Sequence, residues 1–264
     1  NQRSSKNNPW CLRSFSIMDR EMKLEEGLYT EPVGAVAKTI FSDVAKRIGT
    51  TITEIGLDNL LKSDIVKELP IADTLKLVTK FSLAVRDRHF LKKTLTFIAA
   101  LNEGNVDPKE IEKRRKAVQE KKKWIRDEIE RLTIHLDRID ETQKAKLTGA
   151  FYAEYLNGTI SWDEFREFMA IIERVFLQDF KQVLDLQQFQ KDSEVAREMA
   201  AQGISSATMK RFREASCERL MAVGLVTAQR KPMTGGISSE FNLTGLGEKF
   251  AEVLAKINWR EGNF

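Results

Sequence analysis

The strongest constraint on the fold is the order of elements in residues 205–254, SSATMKRFREASCERLMAVGLVTAQRKPMTGGISSEFNLTGLGEKFAEVL. A helical apolar pattern runs into Gly224-Leu225-Val226, where a short strand begins. Gly235-Gly236 supplies the backbone freedom of a tight turn. A second strand follows at Phe241-Asn242-Leu243, and a new helix opens at Thr244. Ser205 or Ser206 suits the cap of the leading helix. Its inward face is Met209, Phe212, Leu220 and Val223, and Leu225 and Val226 start the sheet. Helical spacing sets Ser206, Lys210 and Arg213 one turn apart on the outward face, and Arg230 and Lys231 lie at the base of the hairpin. Two strands joined by a glycine turn cannot bury both faces alone, so this unit needs a larger body to pack on.

The upstream chain reads as that body. Thr30 or Glu31 can cap a helix that Pro32 begins. Val33, Val36, Ala37, Ile40, Phe41, Val44, Ala45 and Ile48 mark its apolar stripe, and Gly49 is expected to stop it. A second helix is expected through Leu57, Leu60, Leu61, Ile65 and Val66, ending before Pro70. Ile71–Leu101 is the most apolar stretch. Leu75, Leu77, Val78, Phe81, Leu83, Ala84 and Val85 cover most of a helix circumference, and Phe90, Leu91, Leu95, Phe97, Ile98 and Leu101 continue past a charged break at Arg86–His89. A helix apolar nearly all round is a core helix, or else it meets a partner or a membrane surface. Lys76, Lys80, Lys92 and Lys93 argue against spanning a bilayer.

Beyond Gly104 and Pro108, the seam Ile125, Ile129, Leu132, Leu136 and Ile139 predicts a helical hairpin or bundle edge. The run KRRKAVQEKKKWIR before it reads either as the solvated face of a long helix or as a phosphate-facing surface. Gln178–Gln190 reads as a linking helix, or as the first helix of the terminal unit.

Asn157-Gly158 and Glu164 have the spacing of the end of a calcium-binding loop. Counting back puts Ala153 and Tyr155 where carboxylate ligands are needed, so calcium is excluded. Instead Asn157-Gly158 should end one helix, and Ser161-x-x-Glu164 should open the next as a capping box.

The net charge of +4 is unevenly spread. Lys113–Arg126 holds eight basic residues against Glu120 alone, and residues 204–232 hold six against Glu214 and Glu218. Two basic patches on a nearly neutral chain fit an anionic partner, and solvated helix faces produce the same count. The cysteines Cys11 and Cys217 are too few for a disulfide framework, which fits a reducing compartment. His89 and His135 lack metal-ligand spacing, and Cys217 sits near the buried face of its helix. Neither a phosphate loop nor a nucleophile elbow nor a dinucleotide fingerprint occurs. No catalytic residue, metal ligand or cofactor is therefore assigned. No apolar run approaches the roughly 18 residues of a spanning helix, and a cytoplasmic location is expected. Met18 would make a natural start, and residues 1–17 read as an upstream extension or a cloning remnant.

The arrangement CERLMAVGLVTAQ…EFNLTGLGEKFAEVL resembles the C-terminal half of bacterial winged-helix domains, over about the last sixty residues. That resemblance implies DNA binding or protein docking. LPIADTLKLVTKFSLAVRDRHFLKKTLTFIAALN, followed by ISWDEFREFMAIIERVF, resembles uncharacterised helical bacterial proteins, some of phages or mobile elements. It implies no residue role.

The resulting expectation is a mainly α protein, a helical-bundle body carrying a small C-terminal winged-helix (α+β) module. Residues 1–29 form a disordered or extended segment, 30–186 the α-helical body with its helical hairpin, and 187–264 the winged-helix-like domain. The expected function is non-enzymatic and regulatory. Ser206, Lys210, Arg211, Arg213, Arg230 and Lys231 would contact double-stranded DNA, and the body would form a homodimer. The alternative is a phage-defence or mobile-element protein acting through protein or membrane contacts, with the module as a docking platform.

Overall fold

A computed structural model describes residues 33–72, 74, 85–201, 214–233 and 236–257. The protein is mainly α-helical, with one small two-stranded antiparallel sheet near its C-terminus. The expected segment 1–29 and the first half of the apolar stretch, residues 75–84, lie outside the described residues.

The N-terminal region departs from the expected single helix. Helix α1 covers 33–40 and α2 covers Asp43–Ile55, with a break at Phe41-Ser42. Ser42 is the reason for the break. Its Oγ accepts a hydrogen bond from the Ala45 amide at 3.0 Å and caps a new helix, with Asp43 in the first turn. Gly49 does not stop this helix; it lies inside α2, where an added Cβ would sit 3.7 Å from the Ala99 carbonyl oxygen. The stop is Gly56, at a φ of 76° that disfavours any residue with a Cβ. The second expected helix is instead two single turns, α3 (Leu57–Leu60) and α4 (Asp64–Lys67), followed by a helical turn α5 at 70–72.

Helix α6 (Val85–Glu103) is the central element. The charged run Arg86–His89 is no break but its first turn, tied to a neighbouring helix end. Arg86 pairs with Asp137 at 2.5 Å, and His89 Nε2 lies 3.0 Å from the Asp140 carbonyl oxygen. Beyond it Leu91, Leu95, Phe97, Ile98 and Leu101 are all buried, so this half of the apolar stretch is core. Among the described residues, no helix is long and apolar enough to cross a membrane.

The charged segment after Asp107 is not one long helix either. It divides into α7 (Pro108–Gln119) and α8 (Lys123–Arg138) at a turn where Lys121 has φ 52°. The seam Ile125, Ile129, Leu132, Leu136 and Ile139 is buried throughout. Helix α9 (Thr142–Leu156) then ends at Asn157-Gly158, and α10 (Trp162–Arg174) opens as expected. Ser161 Oγ accepts from the Glu164 amide at 3.2 Å, while Glu164 Oε2 accepts from the Ser161 amide at 2.8 Å. Ala153 and Tyr155 belong to α9 itself, so no calcium loop exists there.

Helix α11 (Leu177–Ala201) leads to α12 (Glu214–Ala222), strands β1 (Val226–Met233) and β2 (Gly236–Leu243), and α13 (Gly245–Lys256). The expected division at residue 187 falls within α11. One continuous core runs from Val36 to Leu254, with α13 contributing Phe250, Val253 and Leu254.

Helices α6 and α9 cross in close contact. Gly149 of α9 lies so close to α6 that an added Cβ would stand 2.3 Å from the Phe97 carbonyl oxygen. Gly149→Ala must push the helices apart, which outweighs the better helix propensity of alanine. The expected loss is about 1–3 kcal/mol. Urea denaturation should show a lower midpoint at an unchanged slope.

Candidate functional site

The terminal unit has the element order that its sequence requires. Val226 and Leu243 pair at the base of the hairpin and are buried, and the register runs out to Met233 opposite Gly236. Thr244 closes the base. Its Oγ1 donates to the Gly224 carbonyl at 2.6 Å and accepts from the Gly247 amide at 3.0 Å, capping α13. Of the expected DNA-contacting residues, Arg230 and Lys231 lie on β1, opposite Ser239 and Ser238. Ser206, Lys210, Arg211 and Arg213 lie outside the described residues, as do Met209 and Phe212 of the same expected helix. The described part of that helix, α12, buries Cys217 and Leu220.

Aromatic, bidentate and lysine–carboxylate contacts hold this unit on the body. Phe250 of α13 sits among Phe151, Phe168 and Phe180, with ring centroids 4.8, 5.3 and 5.5 Å away. Arg219 of α12 forks onto both oxygens of the fully buried Asp179 at 2.7 Å, with its guanidinium over the Phe176 ring. Such a bidentate pair fixes orientation as well as distance. Lys249 and Lys256 of α13 bond Glu164 and Glu154 of the body. The Lys249 hydrogen bond, followed by the Ser161 backbone amide, lowers the Glu164 pKa to about 2.

The body holds a second polar constellation that periodicity did not reveal. Arg114, counted in the sequence as part of a basic surface, is buried. Its Nε donates to Glu128 Oε1 at 3.1 Å and a terminal nitrogen to Glu110 Oε2 at 2.7 Å. The Tyr152 hydroxyl donates to the same Glu128 oxygen, and the Tyr155 hydroxyl to the other at 3.3 Å. The Arg114 guanidinium lies 5.8 Å from the Trp124 ring centroid and 5.3 Å from that of Tyr155. Burial, and then the Glu128 carboxylate, raise the Tyr152 pKa well above its usual value and keep it a neutral donor. With both oxygens of Glu128 engaged, this knot pins α7, α8 and α9 together. The readable signal was the Glu110–Arg114 spacing and a glutamate beside the Ile125–Ile129 seam. Arg115 is also used internally, donating to the Phe41 carbonyl at 2.8 Å and to Asp43 at 2.8 Å. That pair lies at an open depression of about 360 Å³ also lined by Lys38, Val118 and Gln119.

A third cluster lies where α8 ends. Lys93 donates to the carbonyls of Asp137 at 3.0 Å and Ile139 at 2.8 Å, placing a cation at the helix C-terminus. His89 is exposed, whereas His135 is buried, with Nε2 3.0 Å from Thr148 Oγ1. No group of three or more His, Cys, Asp or Glu side chains that could hold a metal ion occurs among the described residues.

Two measurements test these assignments. Removing one member of a buried pair strands its partner, so Glu128→Ala should cost about 3–5 kcal/mol in urea denaturation. For His135, burial first, and then Lys93, Lys144 and Arg138, lower the pKa from 6.5 to about 4. The unfolded chain takes up this proton near pH 6.5 and the folded chain only near pH 4. Its stabilising effect is therefore complete above pH 6.5 and falls by about 3 kcal/mol as the pH drops to 4. In paired pH–stability curves, His135→Gln should lack that component.

No family model matches the chain, and no curated protein or solved structure matches it either. Its functional reading rests on its own residues.

Proposed function

We propose that this is a non-enzymatic DNA-binding protein, a helical body that presents a winged-helix-like unit to duplex DNA. The observation that supports the reading best is the hairpin between two helices, with Arg230 and Lys231 at consecutive positions of β1. Val226 and Leu243 at the hairpin base and the Phe250–Leu254 face of α13 are buried, which fixes the base from which the hairpin extends. Ser206, Lys210, Arg211 and Arg213, in the chain just before α12, complete the contact set. Lysine and arginine at these positions would meet phosphate oxygens, which confer affinity and register but little sequence information. A homodimer through the helical body would present two such units to two half-sites.

Binding of the full chain to a labelled random-sequence duplex, read by fluorescence anisotropy at several salt concentrations, tests this reading. Affinity should fall steeply with salt, because each neutralised phosphate adds about −0.9 to the slope of log K against log salt. Lys210→Ala/Arg213→Ala should weaken binding and flatten the slope by about two contacts' worth. Equal affinity and an equal slope in that variant would remove the assignment.

A further inference from the structure

The turn between α7 and α8 combines two features that nothing in the terminal unit uses. Between Lys116 and Arg126 stand five cations and one carboxylate. Lys122 takes that carboxylate, pairing with Glu120 at 2.7 Å, while Lys116 lies one turn before it. Lys121, Lys123 and Arg126 are exposed and make no ion pair among the described residues. Asp127 and Glu130 lie further along α8, so the excess of positive charge is concentrated at the turn itself.

The second feature is Trp124, in the midst of those cations. Trp124 is 41% exposed, whereas Ile125, Ile129 and Leu132 of the same helix are buried. The indole is not loose, because the Arg114 guanidinium stands 5.8 Å from its centroid and is itself held by Glu110 and Glu128. Burial of Arg114 in that knot supports an aromatic surface from behind, while three neighbouring cations remain available to solvent.

We propose that this corner binds single-stranded nucleic acid, with Trp124 stacking on an unpaired base and Lys121, Lys123 and Arg126 contacting the flanking phosphates. A flat ring needs a base whose face is free, which a single strand offers and the interior of a duplex does not. An anionic membrane fits less well, because interfacial binding needs an apolar helix face and that of α8 is buried in the core. It uses none of the residues proposed for duplex binding.

The test is binding of a labelled oligo(dT) of about 20 nucleotides to the full chain, with duplex DNA and phosphatidylserine vesicles as competitors. Oligo(dT) should bind at low salt, with duplex competing poorly and vesicles not at all. Trp124→Ala should weaken binding on the order of tenfold and Trp124→Phe much less, since only the former removes the stacking face. Lys121→Glu/Lys123→Glu, on exposed positions that leave the core intact, should weaken it and flatten its salt dependence. Lys210→Ala/Arg213→Ala should leave oligo(dT) binding unchanged even where it weakens duplex binding. No binding at low salt, unaltered binding by Trp124→Ala with Lys121→Glu/Lys123→Glu, or loss of oligo(dT) binding in the Lys210/Arg213 variant would each overturn the proposal. Equal competition by duplex, or displacement by vesicles, would also overturn it, by showing a general polyanion surface or a membrane surface instead.

Discussion

The fold depends on the burial of one helix from several sides at once. Helix α9 presents Gly149 and Tyr152 to α6, Phe151 to Phe168 of α10 and to Phe250 of α13, and Tyr152 and Tyr155 to the Glu128 carboxylate of α8. A helix surrounded in this way cannot carry an ordinary amphipathic stripe. Its polar atoms must instead find partners inside the protein. Thr148 does so by donating to the Lys144 carbonyl, and Tyr152 by donating to Glu128. The absence of a side chain at Gly149 is what lets the two central helices approach.

Around this centre, ionic contacts decide how neighbouring helices are oriented. Arg114–Glu128 joins the consecutive helices α7 and α8, Lys93 on the end of α8 and Arg219–Asp179 join elements distant in sequence, and each contact has at least one member buried. Charges removed from water are tolerated only when their partners are well placed, so these contacts specify geometry more than they add net stability. The surface pairs are different in kind. Lys67–Asp64 and Arg166–Asp163, both exposed and within one turn of a helix, contribute little to stability and no long-range information.

The same economy of charge shapes the functional surfaces. Of the eight basic residues in Lys113–Arg126, the structure withdraws Arg114 and Arg115 into internal contacts and leaves the turn itself cationic. The terminal unit is docked through Phe250, Arg219, Lys249 and Lys256, which take no part in the proposed DNA contacts. Docking thus falls to residues other than those proposed for recognition.

Local features were legible in the sequence because their causes are local. The Ser161–Glu164 capping box, the Thr244 cap, the buried Ile125–Ile139 seam and the order of helix, hairpin and helix after Glu214 all follow from spacing and turn chemistry within one or two turns of chain. Helix ends were less legible. Gly49 looked like a stop but lies inside α2, because Ser42 had already restarted the helix and α6 packs beside that glycine without needing it to bend. The Lys-rich run looked like one face of one helix, whereas a left-handed turn at Lys121 divides it. What tertiary structure alone decided was the partner of each buried charge and the identity of the exposed aromatic. Arg114 and Lys121 are both basic residues in a basic run, and spacing within the run cannot tell which will meet the Glu128 carboxylate of the next helix. Only the packing of α8 and α9 against α7 makes Arg114 an internal support and leaves Trp124 and its neighbouring lysines facing water.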